Sequence, residues 1–174
     1  MSAVLLNLIR ICFLSANPQD LPASRQLVVA LGAALLVVLI IGYSILPLST
    51  SPIVLAIGHG SVIAASWFIL LKLTNRMDRW RQASAALFGC NALLNLVSLP
   101  MLASGARAAE SALARSETNL AVYTFMLLWF WEIAVVSRIL RETLEVKNSI
   151  AIALSLLLAL STQYVLINLF GPSL

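Results

Sequence analysis

The sequence predicts an all-α integral membrane bundle of five transmembrane helices, preceded by an N-terminal interfacial amphipathic helix. Three observations lead to this fold class. The 174 residues are 61% hydrophobic and only 10% charged, against roughly 25% charged in a soluble domain. Five stretches are apolar over about the 20 residues that a helix needs to cross a bilayer. The eleven Lys and Arg residues fall on alternate connections between those stretches rather than at random.

Residues 1–24 form the first unit, an interfacial helix and turn. The apolar run "SAVLLNLIRICFLS" is too short to span and is interrupted by Arg10. A cleaved leader would carry its positive charge before the apolar run, not inside it. A helix over residues 3–14 lying at the membrane surface, with Arg10 reaching to water, fits better. "NPQDLP" (17–22) then ends it, because proline disfavours helix at the residue before it.

Residues 25–174 form the transmembrane domain, with crossings at about 27–46, 53–73, 83–102, 120–137 and 149–170. "LPLSTSP" (46–52), with two prolines and no charge, reads as a tight turn. "KLTNRMDRWR" (72–81), "ASGARAAESALARSETN" (103–119) and "RILRETLEVK" (138–147) are charged connections. Pro100 sits near the end of the third crossing and reads as its terminator.

Orientation follows from the basic residues, which are retained on the cytoplasmic side. Arg10, Arg25, Lys72, Arg76, Arg79, Arg81, Arg138, Arg141 and Lys147 collect on one side, and only Arg107 and Arg115 on the other. The expected arrangement has the N-terminus in the cytoplasm and the C-terminal "FGPSL" outside, in a bacterial inner membrane. Threading therefore accounts for the net charge of +4, and the basic residues belong against lipid headgroups rather than nucleic acid.

Small and polar residues should mark the faces that avoid lipid. Ala56, Gly60 and Ala64 recur every four residues in the second crossing, with His59 beside them. Ser84, Asn91, Asn95 and Ser98 form one stripe on the third, at about 100° per residue. Asn148, Ser155 and Thr162 repeat by sevens on the fifth. Either the stripes pack by hydrogen bonding or they line a polar path. Trp80 suits an interfacial anchor, whereas Trp129 and Trp131 point to different faces of the fourth crossing.

Glu132, inside "FMLLWFWEIAVVSRIL", is the one acid within an apolar crossing. It must be neutral, paired or wet. At 1.5 Å per residue it lies about 9 Å below the charged edge, and Asn91 about 12 Å. The two can meet if their helices are neighbours, and a tilted helix brings His59 within reach. Glu132, Asn91, Asn95 and His59 are thus the candidate intramembrane polar site. Ala56, Gly60, Ala64, Ser84, Ser98, Ser155 and Thr162 are the candidate helix-packing residues. Cys12 and Cys90 have no metal or redox spacing. No nucleophile motif or phosphate loop is present, so no enzymatic activity, cofactor or metal is expected.

The layout of "NLIRICFLSANPQDLP" followed by five crossings resembles the Yip family (Ypt-interacting, Yip-domain proteins), including its bacterial members. The resemblance covers the topology of nearly the whole chain. It implies a small polytopic membrane protein that works by association with other proteins or with lipid. Its eukaryotic members act in vesicle traffic with small GTPases, but the cytoplasmic extension for that role is nearly missing here.

The expectation is a non-enzymatic scaffold, assembly factor or accessory subunit, associating with another membrane protein or with itself. The alternative is a small transporter or proton- or cation-conducting protein that uses Glu132 with the Asn91 and Asn95 stripe. A watered cleft between the stripes distinguishes the second from the first.

Overall fold

The computed structural model describes residues 2–46, 49–110 and 120–170. Its described regular structure is entirely helical. Helix α1 (Ser2–Cys12) leads through a short 3-10 turn (Pro18–Asp20) into α2 (Arg25–Ile45). Then come α3 (Pro52–Leu73), α4 (Trp80–Glu110), α5 (Leu120–Leu144) and α6 (Asn148–Phe170). Helices α2 to α6 are each long and apolar enough to span a membrane, so the chain is a multi-pass membrane protein. Residues 171–174 of the expected C-terminal "FGPSL" end, Arg115 and part of the "LPLSTSP" turn lie outside the described residues.

Local chemistry explains the boundaries. The Ser24 hydroxyl accepts from the Leu27 N–H and caps α2, while Pro52 opens α3 at a position where its missing N–H costs nothing. The Asp20 carboxylate accepts from the Asn17 N–H at 2.9 Å and shapes the turn after α1. Two boundaries differ from the sequence expectation. Pro100 does not end the third crossing: it lies inside α4, which runs on through the Ala-rich "ASGARAAE" to Glu110. Proline is tolerated within transmembrane helices, and Ala, Arg and Glu are good helix formers. Likewise α5 continues past Ser137 to Leu144, with Arg138 and Glu142 paired one turn apart at 3.4 Å.

The five long helices form a closed ring. Helix α2 packs on α4, α4 on α5, α5 on α6, α6 on α3 and α3 back on α2. The ring is filled unevenly. At the end that carries most of the basic residues, a dense core joins Val28, Trp67, Leu71, Leu87, Val135, Ile139, Leu140 and Ala151. The first half of α4 is its axis. Ala83, Ser84, Ala85 and Ala86 are all fully buried in succession, and such small side chains let neighbouring backbones approach closely. The Trp67 indole donates to the Ser84 hydroxyl at 3.1 Å and satisfies both groups within the core, whereas the buried Thr143 hydroxyl of α5 has no partner among the described residues.

The N-terminal unit completes this end. Helix α1 presents Leu8, Ile11 and Cys12 to α4 and exposes Leu5, Leu6, Ile9 and Phe13 on its other face. Gln82 donates to the carbonyls of Gln19 and Leu21, each at 3.0 Å. The Trp131 indole donates to the Cys12 carbonyl at 3.0 Å. Both cysteines are buried and free. Arg79 donates to the final carbonyls of α5, Glu142 and Thr143, and pairs with Glu145 at 2.5 Å. Arg76 pairs with the same carboxylate at 2.6 Å. Glu145 holds a left-handed conformation, φ 55°, that normally favours glycine.

Two outcomes follow from this packing. A side-chain carbon on Gly89 would stand 2.6 Å from a methyl of Leu8 and 3.2 Å from one of Leu31. Because Leu8 is itself buried, Gly89→Val should lift α1 and destabilise the protein by about 1–3 kcal/mol, the usual range for overpacking. Alkylation of Cys12 should accelerate several-fold; an unchanged rate would show that α1 does not depend on this contact. The second concerns Glu145, whose carboxyl the hydrogen bonds from Arg79 and Arg76 hold below its usual value of 4.5. A depressed carboxylate stabilises the fold above its ordinary titration range and loses that contribution as pH falls through the depressed value. Glu145→Gln should therefore lower Tm slightly at pH 7 and low salt, and the difference from the native protein should close in acid.

Candidate functional site

Above the dense core the ring is hollow. A cavity of about 320 Å³ lies between all five long helices, with Trp67 and Leu87 belonging both to the core and to its lining. Along α4 the lining runs from Leu87 to Leu102, about 22 Å at 1.5 Å per residue. Its volume sits at the small end of the range for small-molecule sites, about 300–1,000 Å³.

Each helix contributes polar groups. Helix α4 supplies Asn91, Asn95 and Ser98. Helix α6 supplies Ser155, Thr162 and Gln163, and α5 supplies Glu132. Tyr43 comes from α2, and His59 and Ser66 from α3. All four residues of the candidate polar site, Glu132, Asn91, Asn95 and His59, line this one space. Of the candidate packing residues, Ser98, Ser155 and Thr162 line it as well.

The others go elsewhere. Ser84 lies in the core beneath, bonded to Trp67. Ala56 packs with Leu35, Leu39 and Ala92 in a second buried cluster. At Gly60 a side-chain carbon would meet Leu36 of α2 at 2.8 Å, so glycine permits the close approach of α2 and α3. Ala64 is exposed, and Asn148 is exposed at the start of α6. The Ala56–Gly60 part of the small-residue ridge is thus engaged within the chain.

The hydrogen bonds of the lining decide its electrostatic character. The Asn91 amide N–H₂ donates to the Leu87 carbonyl and that of Asn95 to the Asn91 carbonyl, each at 2.9 Å. Both amide oxygens remain as acceptors. Ser98, Ser155 and Thr162 donate their hydroxyl hydrogens to carbonyls of their own helices at 2.7–2.8 Å, leaving oxygen lone pairs. Tyr43 and the His59 Nδ1 share a hydrogen bond of 2.8 Å that joins α2 to α3. The Glu132 carboxylate has no hydrogen-bond or ion-pair partner among the described residues. No Lys or Arg lines the cavity. The wall is therefore rich in acceptors and carries one uncompensated acid, with the aromatic rings of Trp129, Phe125 and Tyr43 around it. Such a wall suits a hydrogen-bond donor or a cation.

Four polar lining residues, Tyr43, Ser66, Thr162 and Gln163, differ in how visible they are in the sequence. Thr162 belongs to a stripe, but Tyr43, Ser66 and Gln163 were not expected there. Ser66 had a signal: it follows His59 by seven residues, the same interval that marks the stripe of α6. Tyr43 and Gln163 have none: Tyr43 adjoins only Ser44, Gln163 lies in the polar run Ser161–Tyr164, and neither falls at a seven-residue interval from the stripes.

Among the described residues no three His, Cys, Asp or Glu side chains gather where they could hold a metal ion. The polar groups act by hydrogen bonding and charge, and the cavity can hold a guest or water. The chain matches no protein-family model, no curated protein and no solved structure.

Proposed function

We propose that this multi-pass protein binds a small organic cation in its intramembrane cavity and carries it across the membrane, with Glu132 as the counter-charge. The observation that carries this reading is the convergence of polar groups from all five long helices on a single cavity that contains the Glu132 acid and no Lys or Arg. Hydrocarbon makes an unpaired carboxylate expensive. A cationic guest offsets that cost, and the aromatic side chain of Trp129 lines the same space. The dense core at the basic end closes the cavity on that side, as a carrier that opens to one side at a time requires.

An association role draws its support from the polar stripes and the small-residue ridge. Most of those residues face the cavity or a neighbouring helix of the same chain, so transport accounts for them without a partner. The excess of basic residues supports a bacterial inner membrane with the basic end in the cytoplasm, a placement that the Yip-like layout also suits. No covalent step is proposed, and no enzymatic activity or cofactor.

The test is uptake of radiolabelled tetramethylammonium into proteoliposomes. The native protein should accumulate it above protein-free liposomes. Glu132→Gln should reduce uptake roughly tenfold or more, since truncating one partner of a buried charge pair costs about 2–5 kcal/mol. Equal uptake by native and Glu132→Gln proteins, or none by either, overturns the proposal.

A further inference from the structure

A second, smaller void touches the first. Ser66, Ile69, Leu70 and Leu73 of α3 face Leu154, Leu157 and Leu158 of α6 across a crevice of about 210 Å³. Apart from Ser66 its lining is wholly apolar, and Ile69, Leu73 and Leu157 are exposed on the outer surface of the bundle. In a membrane that surface meets lipid tails. Ser66 and Leu158 line both voids, so they form a sill with the polar cavity on one side and the hydrocarbon of the bilayer on the other.

The sill and the acid lie at similar depth. Counted at 1.5 Å per residue from the basic ends of their helices, Leu158 is about 15 Å and Glu132 about 18 Å along. The seam is also the place where the ring closes on itself. Helices α3 and α6 are far apart in the chain, and no hydrogen bond or ion pair joins them among the described residues. By contrast, the Tyr43–His59 bond ties α3 to α2, and the Trp67–Ser84 bond ties it to α4.

We infer that the guest of the cavity is a single-chain cationic amphiphile, its head held by Glu132, Asn91 and Asn95 and its hydrocarbon chain passing over Ser66 and Leu158 into the bilayer. This rests on the proposed cation site and adds the chemical class of the guest and its route of access. The acid and acceptors of the cavity draw an ammonium head, and the apolar crevice beside it suits an alkyl chain. With the chain lying in the apolar crevice, only the head needs to be enclosed. The chain stays in a hydrocarbon environment throughout, so the guest reaches the acid without crossing the dense core at the basic end.

The experiment compares tetramethylammonium with decyltrimethylammonium, which share a permanently charged head. Binding is read by tryptophan fluorescence with the full chain in zwitterionic nanodiscs, and partition into protein-free nanodiscs is subtracted. The native protein should bind both, and Glu132→Gln should weaken both. Leu154→Trp should fill the crevice, whose lining it shares without lining the cavity, and weaken the decyl compound roughly tenfold or more while sparing tetramethylammonium, whose retained binding reports an intact fold. Leu154→Ala should keep the decyl compound bound. If the native protein binds tetramethylammonium but excludes the decyl compound, the lateral route is overturned and the cation site stands. The route is also overturned if Leu154→Trp weakens neither compound. If neither compound binds the native protein, both the cation site and the amphiphile fall.

Discussion

A polar side chain inside a bilayer has no solvent, and this constraint organises the whole structure. In hydrocarbon a hydroxyl, amide or carboxylate must find a partner, a water-filled space or a guest. The chain meets the requirement in two ways. Where helices touch, polar groups pair on the spot, as in the Trp67–Ser84 bond within the core. Where they do not touch, polar groups from every long helix turn toward one cavity. Lipid-facing surfaces are left to residues such as Val37, Ile57, Leu127 and Leu157. Without a hydrophobic drive between helices, close packing has to supply the association, and it is concentrated at the basic end around the small side chains of α4.

That concentration separates two mechanical regimes. The basic end is held by buried packing, by the docked N-terminal unit and by the pairing of Arg76 and Arg79 with Glu145. These contacts link α1, α4, α5 and the connection after α3. The half of the ring around the cavity has fewer fixed points: the Tyr43–His59 bond, the close approach at Gly60 and the small cluster around Leu35 and Ala56. A rigid base with a looser rim is an arrangement in which helices can tilt about the base while the base keeps its packing.

Helix number, approximate spans and the convergence of Glu132, Asn91, Asn95 and His59 were legible because they depend on periodicity and depth along single helices. A stripe at 100° per residue identifies a face, and counting residues gives a depth. Neither gives the order of helices around a ring. That order rests on side-chain size, and the run "ASAALFGCNA" (83–92) carried the signal: a helix small on every side is one that neighbours surround. Its reading there was limited to Ser84 and Asn91 as members of a stripe. The continuation of α4 through Pro100 was missed for a different reason. Proline is a terminator where water competes for the backbone, but in a bilayer the alternative to helix is an unsatisfied carbonyl, so the helix goes on.

Connectivity and packing together place the seam. Short loops hold α2 to α3 and α5 to α6, and extensive packing joins α4 to α2 and α5, whereas the junction of α3 with α6 is the least packed of the ring and has, among the described residues, neither a direct chain connection nor a polar tie. That junction, between α3 and α6, is where an apolar crevice reaches the cavity at Ser66 and Leu158. A junction stabilised by apolar packing alone loses little when lipid-like chain replaces side-chain contacts, because one hydrocarbon surface is exchanged for another. Parting the helices at a polar tie would instead strand a donor or an acceptor in hydrocarbon. The same constraint that draws the polar groups inward therefore favours α3 and α6 as the place where the wall of the cavity can part.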